Sequence, residues 1–519
     1  MTPAELNIFA SRLDAVCDEM GLVLRNTAFS PNIRDRLDFS CAVFDAAGEL
    51  CAQAAHIPVH LGSMAYAMRD IVSRIAWADG DQVVLNDPYL GGTHLPDVTL
   101  IAPVFSAGRL CAFVVNRAHH ADIGAASPGS MPISSTLADE GVVIEPVHLV
   151  RSGDTVRDVL EQIVGKTRNR AESLGDFNAQ MAANRAGVRR LGALVAAQGG
   201  DVFASAVGEL NDYAERLARA ALAVIPPGTY RFSDYLDDDG QGQESIVIAL
   251  TLRVDDAGIH ADFSGTAAQV TGNVNCPLAV AAAAVFYVFR CLMPAQTPAC
   301  AGAFRPLSLH APAGCLLNAR KPAAVAAGNV ETSTRVVDVV LGALGSAVPA
   351  HIPAASHGSM NNLAMGSAET GAAWDYYETI GGGMGAGSAG GGIAGVQTHM
   401  TNTLNTPIEV LESRFPVRVE RYSLRRGSGG DGARPGGDGL VREFRFLRPA
   451  HFTLLTERRL HAPWGLAGGA PGATGHNLLN AQPLPPKCER NASAGDVLRI
   501  ETAGGGGYGV PPVDGSPVR

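Results

Sequence analysis

The segment from residue 98 to residue 117 constrains the fold more than any other part of the sequence. Two runs rich in Val, Ile, Leu and Phe, Val98–Phe105 and Leu110–Arg117, flank residues 106–109. Apolar runs bounded by turn residues are typical of β-strands, and Ala107 and Gly108 suit a short hairpin turn. The sequence therefore predicts an antiparallel hairpin whose two outer ends open into the same place.

Two histidines and a carboxylate lie at that open end. If the turn centres on residues 107–108, Asp97 lies across from Ala118 and next to His119, and His94 is three residues before Asp97. Two imidazoles and a carboxylate form a mixed nitrogen and oxygen site for a divalent metal, with zinc or manganese as the expected ion. A histidine near a strand end is also often a hydrogen-bonded surface residue, so from spacing alone both interpretations stay open.

A second polar cluster lies upstream. Asp38 follows Arg34 and Arg36 and precedes the predicted strand Phe39–Phe44. Asp38 could be a fourth metal ligand, or it could orient a ligating histidine through a hydrogen bond. An arginine–aspartate network on the surface explains the same residues equally well.

Helix and strand patterns alternate along the rest of the chain. Thr2 and Glu5 form a capping box at the start of a first helix. Strand-like runs occupy residues 34–150 and return after residue 229, while glycine dominates residues 380–395. This pattern predicts a mixed α/β (α+β) protein, with an N-terminal β-rich unit over residues 1–200 that carries the metal site and a larger glycine-rich α+β unit over residues 201–519. Further helices are predicted over Glu161–Gln198, Val207–Val224 and Leu278–Leu292.

Composition excludes several classes of function. The formal net charge is −10 and no basic stripe offsets it, so no nucleic-acid partner is expected. No run of about 18 apolar residues predicts a membrane span, and the N-terminal residues lack the pattern of a signal peptide. The chain has nine cysteines and no C-x-x-C spacing, which indicates the reduced thiols of a cytoplasmic protein.

Two catalytic motifs are missing from the sequence. The glycine run Gly381–Gly387 lacks the Lys-Ser/Thr ending of a phosphate-binding loop, so we expect no nucleotide site in this chain. No G-x-S-x-G elbow is present, which removes sequence support for a serine hydrolase triad.

A set of longer motifs is spread over nearly the whole chain. They are SPNIRDRLDFSCAVFDAAGEL (Ser30–Leu50), HIPVHLGSM (His56–Met64), NDPYLGGTHLPDVTLIAPVF (Asn86–Phe105), RAHHADIG (Arg117–Gly124), PGSMP (Pro128–Pro132), DFSGTAAQVTGNVNCP (Asp262–Pro277), AAVAAGNVETSTRVVD (Ala323–Asp338), YYETIGGGMGA (Tyr376–Ala386), HMTNTLNTPIEVLE (His399–Glu412) and GGGGYG (Gly504–Gly509). Together they resemble the hydantoinase B/oxoprolinase family over about residues 3–511.

The resemblance implies a metal-binding subunit of an ATP-dependent amidohydrolase that opens a cyclic amide such as a hydantoin, 5-oxoproline or another lactam. The implied partner is a hydantoinase A-type subunit, which binds ATP and Mg and phosphorylates the amide or carbonyl oxygen, in an expected heterotetramer. His94, Asp97 and His119 match the family's metal positions, and Asp38 matches an additional carboxylate near the site.

Proton transfer is assigned less directly. His56, His120 and Asp122 are candidate catalytic residues because each lies close in sequence to the expected metal site. The adjacent histidine His120 could equally be a buried structural residue.

Two other functions remain open at this point. Subunits of acetone and acetophenone carboxylases are similar in sequence, but those related subunits tend to be longer, which favours the hydrolase. A non-catalytic scaffold that completes its partner's fold is the other alternative, and the intact residues His94, Asp97 and His119 argue against it.

Overall fold

In the computed structural model, which describes residues 1–54, 57–369 and 373–511, the predicted hairpin lies inside a seven-stranded antiparallel sheet. The strands of the described residues are β1 Phe39–Asp45, β2 Leu50–Ala54, β3 Gln82–Leu85, β4 Asp97–Ser106, β5 Arg109–His119, β6 Val147–Arg151, β7 Asp154–Thr155, β8 Gly228–Asp238, β9 Glu244–Asp255, β10 Gly258–Asp262, β11 Leu307–His310, β12 Asn362–Ser367, β13 Trp374–Glu378, β14 Val417–Arg425, β15 Gly439–Phe446, β16 Ala450–Leu455, β17 His476–Leu479, β18 Gln482–Leu484, β19 Lys487–Ala492 and β20 Val497–Glu501.

Helices cover the sheets and join them. The α-helices of the same residues are α1 Pro3–Thr27, α2 Pro31–Arg34, α3 His60–Arg74, α4 Arg157–Val164, α5 Arg170–Gln198, α6 Gly200–Leu222, α7 Leu278–Cys291, α8 Ser333–Ala347 and α9 Ile408–Arg414, and a π-helical turn over Gly328–Thr332 leads into α8. This content confirms the predicted mixed α/β class. The capping box of Thr2 and Glu5 at the start of α1 is also confirmed.

The strands form four sheets. Their orders are β2-β1-β5-β4-β3-β6-β7, β11-β10-β9-β8, β13-β12-β16-β19 and β14-β15-β20-β17-β18. Helices α1 and α5 pack on each other and on the first sheet, whereas α8 packs on β8 and β9. The predicted division near residue 200 falls between α5 and α6, and the division into two units stays a prediction.

The hairpin turn lies at the predicted residues, but the register of the two strands differs from the predicted register. Ser106 pairs with Arg109, so the turn is centred on residues 107–108. A β-bulge between Val104 and Phe105 then shifts the pairing by one residue, because the bulged strand carries one extra residue against its partner. Asp97 therefore lies directly across from His119, whereas the sequence had placed it across from Ala118.

The predicted helix over Glu161–Gln198 is two helices. Helix α4 ends at Val164, and α5 begins at Arg170 after Asn169, whose side chain accepts a hydrogen bond from the Glu172 amide. An asparagine at this position satisfies an amide that has no partner inside the helix, which favours a new helix start over continuation. The predicted continuity was wrong for that reason.

The glycine-rich runs pack against one another through their main chains. A Cβ atom added at Gly383 would lie 1.9 Å from the Gly437 carbonyl oxygen, and one added at Gly505 would lie 2.1 Å from the Met384 oxygen. Hydrogen bonds of 2.9 Å run from the Gly437 amide to Met384 and from the Gly505 amide to Gly437. Only glycine permits such approach, so these runs form a packed layer, which we call the glycine layer (residues 381–392, 429–437 and 504–507).

No single helix among the described residues is long and apolar enough to cross a membrane, although α5 and α6, bent by 102°, pass that test of length and composition as a pair.

Candidate metal centre

Three buried side chains from the hairpin and its preceding loop converge at one point. The distance from His94 Nε2 to Asp97 Oδ1 is 3.2 Å, that from His119 Nδ1 to Asp97 Oδ1 is 3.3 Å, and that between the two nitrogens is 3.2 Å. All three residues are at most 2% exposed. A tetrahedral ion with bonds of about 2.0 Å separates its ligand atoms by about 3.3 Å. We refer to these three atoms as the ligand triangle.

Secondary structure fixes each corner of the triangle. Asp97 begins β4 and His119 ends β5 directly opposite it. His94 lies in a turn in which the Asp97 amide donates to the His94 carbonyl oxygen over 3.1 Å. The Nδ1 atom of His94 lies 3.2 Å from the carbonyl oxygen of Ala326 and donates to it, because a carbonyl can only accept. This hydrogen bond leaves the lone pair of Nε2 free for a metal ion.

The carboxylate of Asp97 has one saturated oxygen and one open oxygen. Its Oδ2 atom accepts hydrogen bonds from Thr93 Oγ1, from His60 Nε2 over 3.2 Å and from Asn329 Nδ2 over 3.4 Å. Its Oδ1 atom is buried and forms no hydrogen bond with any described residue. Two imidazole nitrogens that face this one open anionic oxygen form a donor set that fits a shared divalent cation.

Electrostatics favour the ionised form of Asp97 and the neutral form of His119, whereas burial of His94 is outweighed by the charge and hydrogen bond of Asp97, which raise the pKa of this imidazole. Burial raises the pKa of Asp97, but the positive charges and hydrogen bonds of His94, His60 and His119 outweigh burial and hold this pKa well below its usual range. Burial lowers the pKa of His119, which favours the neutral imidazole. Metal ligation requires an ionised carboxylate and neutral imidazoles. The shifts of Asp97 and His119 therefore favour binding, whereas the raised pKa of His94 makes metal binding compete with its protonation.

His60, which the sequence did not single out, supports the triangle from behind. Its Nδ1 atom lies 3.0 Å from Ser40 Oγ and its Nε2 atom bonds Asp97. Replacing His60 with glutamine is expected to weaken metal affinity by about tenfold to a hundredfold, the usual cost of losing a group that orients a ligand. Equilibrium competition with a metal chelator measures this affinity.

A second histidine–aspartate pair, at β6 of the seven-stranded sheet, provides a matched control. His148 Nε2 lies 3.3 Å from Asp81 Oδ2 in another largely buried histidine–aspartate pair. His148→Gln should leave metal affinity unchanged. Equal affinities in His60→Gln and the parent chain would contradict the orienting role of His60.

The structure separates the remaining predicted site residues. Asp38 lines the same small cavity as Asp97 and His119, which has a volume of about 20 Å³, but it is not part of the ligand triangle. Its carbonyl oxygen accepts from the His119 amide over 3.0 Å. His56 lies outside the described residues.

His120 and Asp122 line a different cavity, of about 250 Å³. The Nε2 atom of His120 pairs with Gln180 Oε1 at 2.9 Å. The carboxylate of Asp122 accepts from Ser130 Oγ over 2.9 Å and from the Arg168 amide over 2.6 Å. The described structure therefore does not bring these two side chains together with the ligand triangle, although they are close to it in sequence.

Residues far along the chain complete the cavity wall. Asn329 comes from the π-helical turn, Tyr377 from β13, and Thr379, Thr401 and Thr403 from the segment after it. The ring of Tyr377 stacks on His119 with centroids 4.9 Å apart. These residues fall inside motifs noted in the sequence, but no spacing rule connects them to the hairpin.

Comparison with known proteins gives a consistent family assignment. A family model described as hydantoinase B/oxoprolinase matches residues 2–511. The chain is 39% identical to 5-oxoprolinase 1 of Arabidopsis thaliana over 97% of its own length, and it spans 42% of that relative, so it covers about two fifths of the larger protein. It is 31% identical to a putative D-/L-hydantoinase B-type subunit of Pseudomonas sp. (strain NS671), covering 98% of this chain and 90% of that protein.

Two solved structures share the fold. The ATP-dependent caprolactamase from Pseudomonas jessenii superimposes with a TM-score of 0.91 at 28% identity, covering 99% of this chain and 92% of that one. A nucleotide-free acetone carboxylase superimposes with a TM-score of 0.88 at 18% identity, covering 98% of this chain and 76% of that one. At the latter identity the likeness concerns the fold alone.

Proposed function

The chain belongs to the hydantoinase B/oxoprolinase family, and from that premise we propose that it is the metal-carrying, hydrolytic component of an ATP-dependent enzyme that opens a cyclic amide. The observation that carries the proposal is the ligand triangle, whose edges of 3.2–3.3 Å suit a divalent ion such as zinc or manganese. Relatives with this fold carry names that refer to cyclic amides, which supports the substrate class.

The chain's own residues would hold and surround the ion. His94, Asp97 and His119 are the ligands, and the carboxylate of Asp38 on the same cavity wall is the candidate for a further ligand. An ion bound there would lower the pKa of a water molecule toward neutrality. The cavity is lined by buried groups, so competing solvent is kept out.

Activation of the amide would fall to a partner. An unstrained amide is a poor electrophile, and phosphorylation of its oxygen makes the amide carbon far more electrophilic toward water. Because the chain carries no phosphate-binding loop motif, we assign ATP and Mg to a hydantoinase A-type subunit, in a heterotetramer with this chain. The name of the Pseudomonas sp. relative, which describes one subunit of a hydantoinase, supports a multi-subunit enzyme.

A ring-opening screen tests the proposal. The chain would be co-expressed with an A-type subunit and supplied with ATP and with hydantoin, N-methylhydantoin, 5-oxoproline or a larger lactam. We expect ATP-dependent ring opening of at least one of these substrates, measured by chromatography of the product. ATP turnover with a ketone and bicarbonate, and with none of the cyclic amides, would instead establish the carboxylase alternative.

The same assay addresses the scaffold alternative. His94→Ala should abolish turnover while the complex with the partner still forms. Full activity of this variant would show that the chain completes its partner's fold without taking part in the chemistry.

A further inference from the structure

A buried arginine lies behind the wall of the metal cavity, and it has no acidic partner among the described residues. Arg36 is 0% exposed, and no carboxylate of a described residue lies within 4.0 Å of its guanidinium. Its Nη1 atom donates to the Tyr377 carbonyl oxygen over 3.0 Å, and the guanidinium carbon lies 4.8 Å from the Tyr377 ring centroid. A buried cation with neutral hydrogen-bond partners polarises the groups that it contacts, because no described carboxylate in contact with it neutralises its charge.

The hydroxyl of Thr379 has only one direction in which to donate. Its Oγ1 atom accepts from Arg36 Nη2 over 3.3 Å and from Gln397 Nε2 over 3.2 Å. The amide of Gln397 is oriented, because its Nε2 atom also lies 3.3 Å from the Thr379 carbonyl oxygen, which can only accept. A hydroxyl has two acceptor positions and one proton. Thr379 therefore donates to Thr403 Oγ1, which is 2.6 Å away.

Counting donors and acceptors in the same way gives the direction of the next hydrogen bond, toward the cavity. Thr403 Oγ1 accepts from Thr379 and from Arg36 Nη2 over 3.5 Å, which leaves Thr401 Oγ1, at the long distance of 3.4 Å, as the described acceptor for its own proton. Thr401 Oγ1 forms no other hydrogen bond with a described residue, so its own proton is free to donate. Thr401 lines the cavity that Asp97 and His119 also line, and it is 3% exposed.

We propose that Thr379, Thr403 and Thr401 form a directed hydroxyl relay, polarised by Arg36, which presents the Thr401 proton to the oxygen that water adds to the substrate carbon. The metal cavity, of about 20 Å³, has room for that oxygen and not for the whole substrate. The proposal rests on the proposed function for the identity of that substrate, the phosphorylated amide. The oxygen that water adds to its carbon becomes negatively charged as its proton passes to the ring nitrogen and the carbon–nitrogen bond breaks. Thr401 is the residue that touches the substrate, and Arg36, Thr379 and Thr403 are positioning residues. A preorganised donor in a site shielded from water stabilises such charge more than a solvated donor does.

The relay is distinct from simple satisfaction of a buried arginine. Any set of acceptors could fulfil the hydrogen-bonding needs of Arg36. A relay in addition requires that each hydroxyl proton point toward the next oxygen. It also makes the effects of Arg36 and Thr401 depend on each other, because Arg36 acts on the substrate through Thr401. Two independent structural residues would have independent effects.

A double-mutant cycle with the active complex measures that dependence. Thr401→Val should lower kcat by about a hundredfold, as loss of a donor to a developing oxyanion does, with KM changed less than about threefold. Thr401→Ser, which keeps the hydroxyl, should recover most of the loss. Arg36→Met should also lower kcat, Arg36→Lys should lower it less, and the double variant R36M/T401V should be no slower than Thr401→Val alone.

The matched control is Thr453→Val. Thr453 is a buried threonine of β16 whose Oγ1 atom forms no hydrogen bond with a described residue, and it lies outside the relay. It should retain the parent kcat. Losses that multiply in R36M/T401V, or a Thr401→Ser variant as slow as Thr401→Val, would overturn the relay.

A binding measurement separates this inference from the proposed function. Formate, a small anion that presents a charged oxygen, would be titrated into the cobalt-loaded chain and followed by the visible absorption of cobalt. Thr401→Val should weaken formate binding by about tenfold, and Thr453→Val should not change it. If formate binding is the same in Thr401→Val and the parent, the relay is wrong even where ring opening is found. If Thr401→Val weakens formate binding but no cyclic amide is opened, the relay holds and the proposed substrate class fails.

Discussion

Replacing Asp97 with asparagine is expected to abolish ring opening and to weaken metal affinity by about a thousandfold. Structural zinc sites bind with about 10–16 kcal/mol over their full ligand set, so one ligand accounts for roughly 3–4 kcal/mol of that affinity. Asparagine keeps the size of the side chain and removes its charge. The two imidazoles that face Asp97 Oδ1 at 3.2 and 3.3 Å would then lack their shared anion. Metal content after dialysis, and turnover with the partner, measure the two effects.

Asp81→Asn is the matched control for this substitution. Asp81, which directly precedes β3, is 5% exposed and pairs with His148 of β6. It should keep its metal and its turnover. Retention of full metal content by Asp97→Asn would refute the metal centre as described.

Replacing Lys487 with methionine is expected to lower the free energy of unfolding by about 4 kcal/mol, the usual cost of removing one partner of a buried ion pair. The Nζ atom of Lys487 lies 2.5 Å from Glu457 Oε1, and both side chains are 0% exposed. Methionine fills the space but leaves the carboxylate buried with less compensation. Urea unfolding followed by circular dichroism measures the loss, and Arg219→Met, which breaks an exposed pair with Glu215, should cost less than about 1 kcal/mol.

The loss should depend on pH with a definite sign. Burial raises the pKa of Glu457, and Lys487 opposes that rise, so in Lys487→Met the folded-state pKa rises further. A carboxyl group whose pKa is higher in the folded chain binds more protons there than in the unfolded chain. The free energy of unfolding therefore falls as pH rises above the unfolded-state pKa of this group, about 4.3. Because the folded-state pKa of Glu457 is already about 8 in the parent, parent and variant lose stability alike below that pH and diverge above it. The difference between variant and parent should therefore be larger at pH 9 than at pH 6, and an equal difference at both would contradict this assignment.

The hairpin shows how far local sequence rules reach. The turn at residues 107–108 was predicted correctly. The register was not, because nothing in the sequence marks the bulge between Val104 and Phe105. The bulge places Asp97 directly opposite His119, so a feature that the sequence hides brings two corners of the triangle together.

The side-chain direction of His120 was accessible in principle. Successive side chains along a strand point to opposite faces. Since His119 at the end of β5 faces Asp97, the next residue is expected to face the other way, and the structure places His120 against Phe177 and Gln180. Proximity in sequence favoured His120 as a catalytic residue, whereas alternation along the strand argues for a different environment.

The rest of the cavity could not have been predicted from local patterns. Asn329 and Thr401 lie more than two hundred residues after the hairpin, and their place beside it depends on how whole sheets and helices pack. His60 is similar, because its contact with Asp97 requires the start of α3 to reach the mouth of the hairpin. Long-range packing of this kind leaves no periodic signal in one sequence.

The glycine layer has a thermodynamic consequence. Its segments are held together by amide-to-carbonyl hydrogen bonds, and no side chain lies between them at the contacts of Gly383 and Gly505. Exposing such main-chain surface to water lowers the heat capacity, whereas exposing apolar side chains raises it. Melting of this layer would therefore add little to the heat capacity of unfolding. The stability of the glycine layer would depend less on the release of ordered water than the stability of the apolar core does. The layer would therefore be destabilised less by cooling.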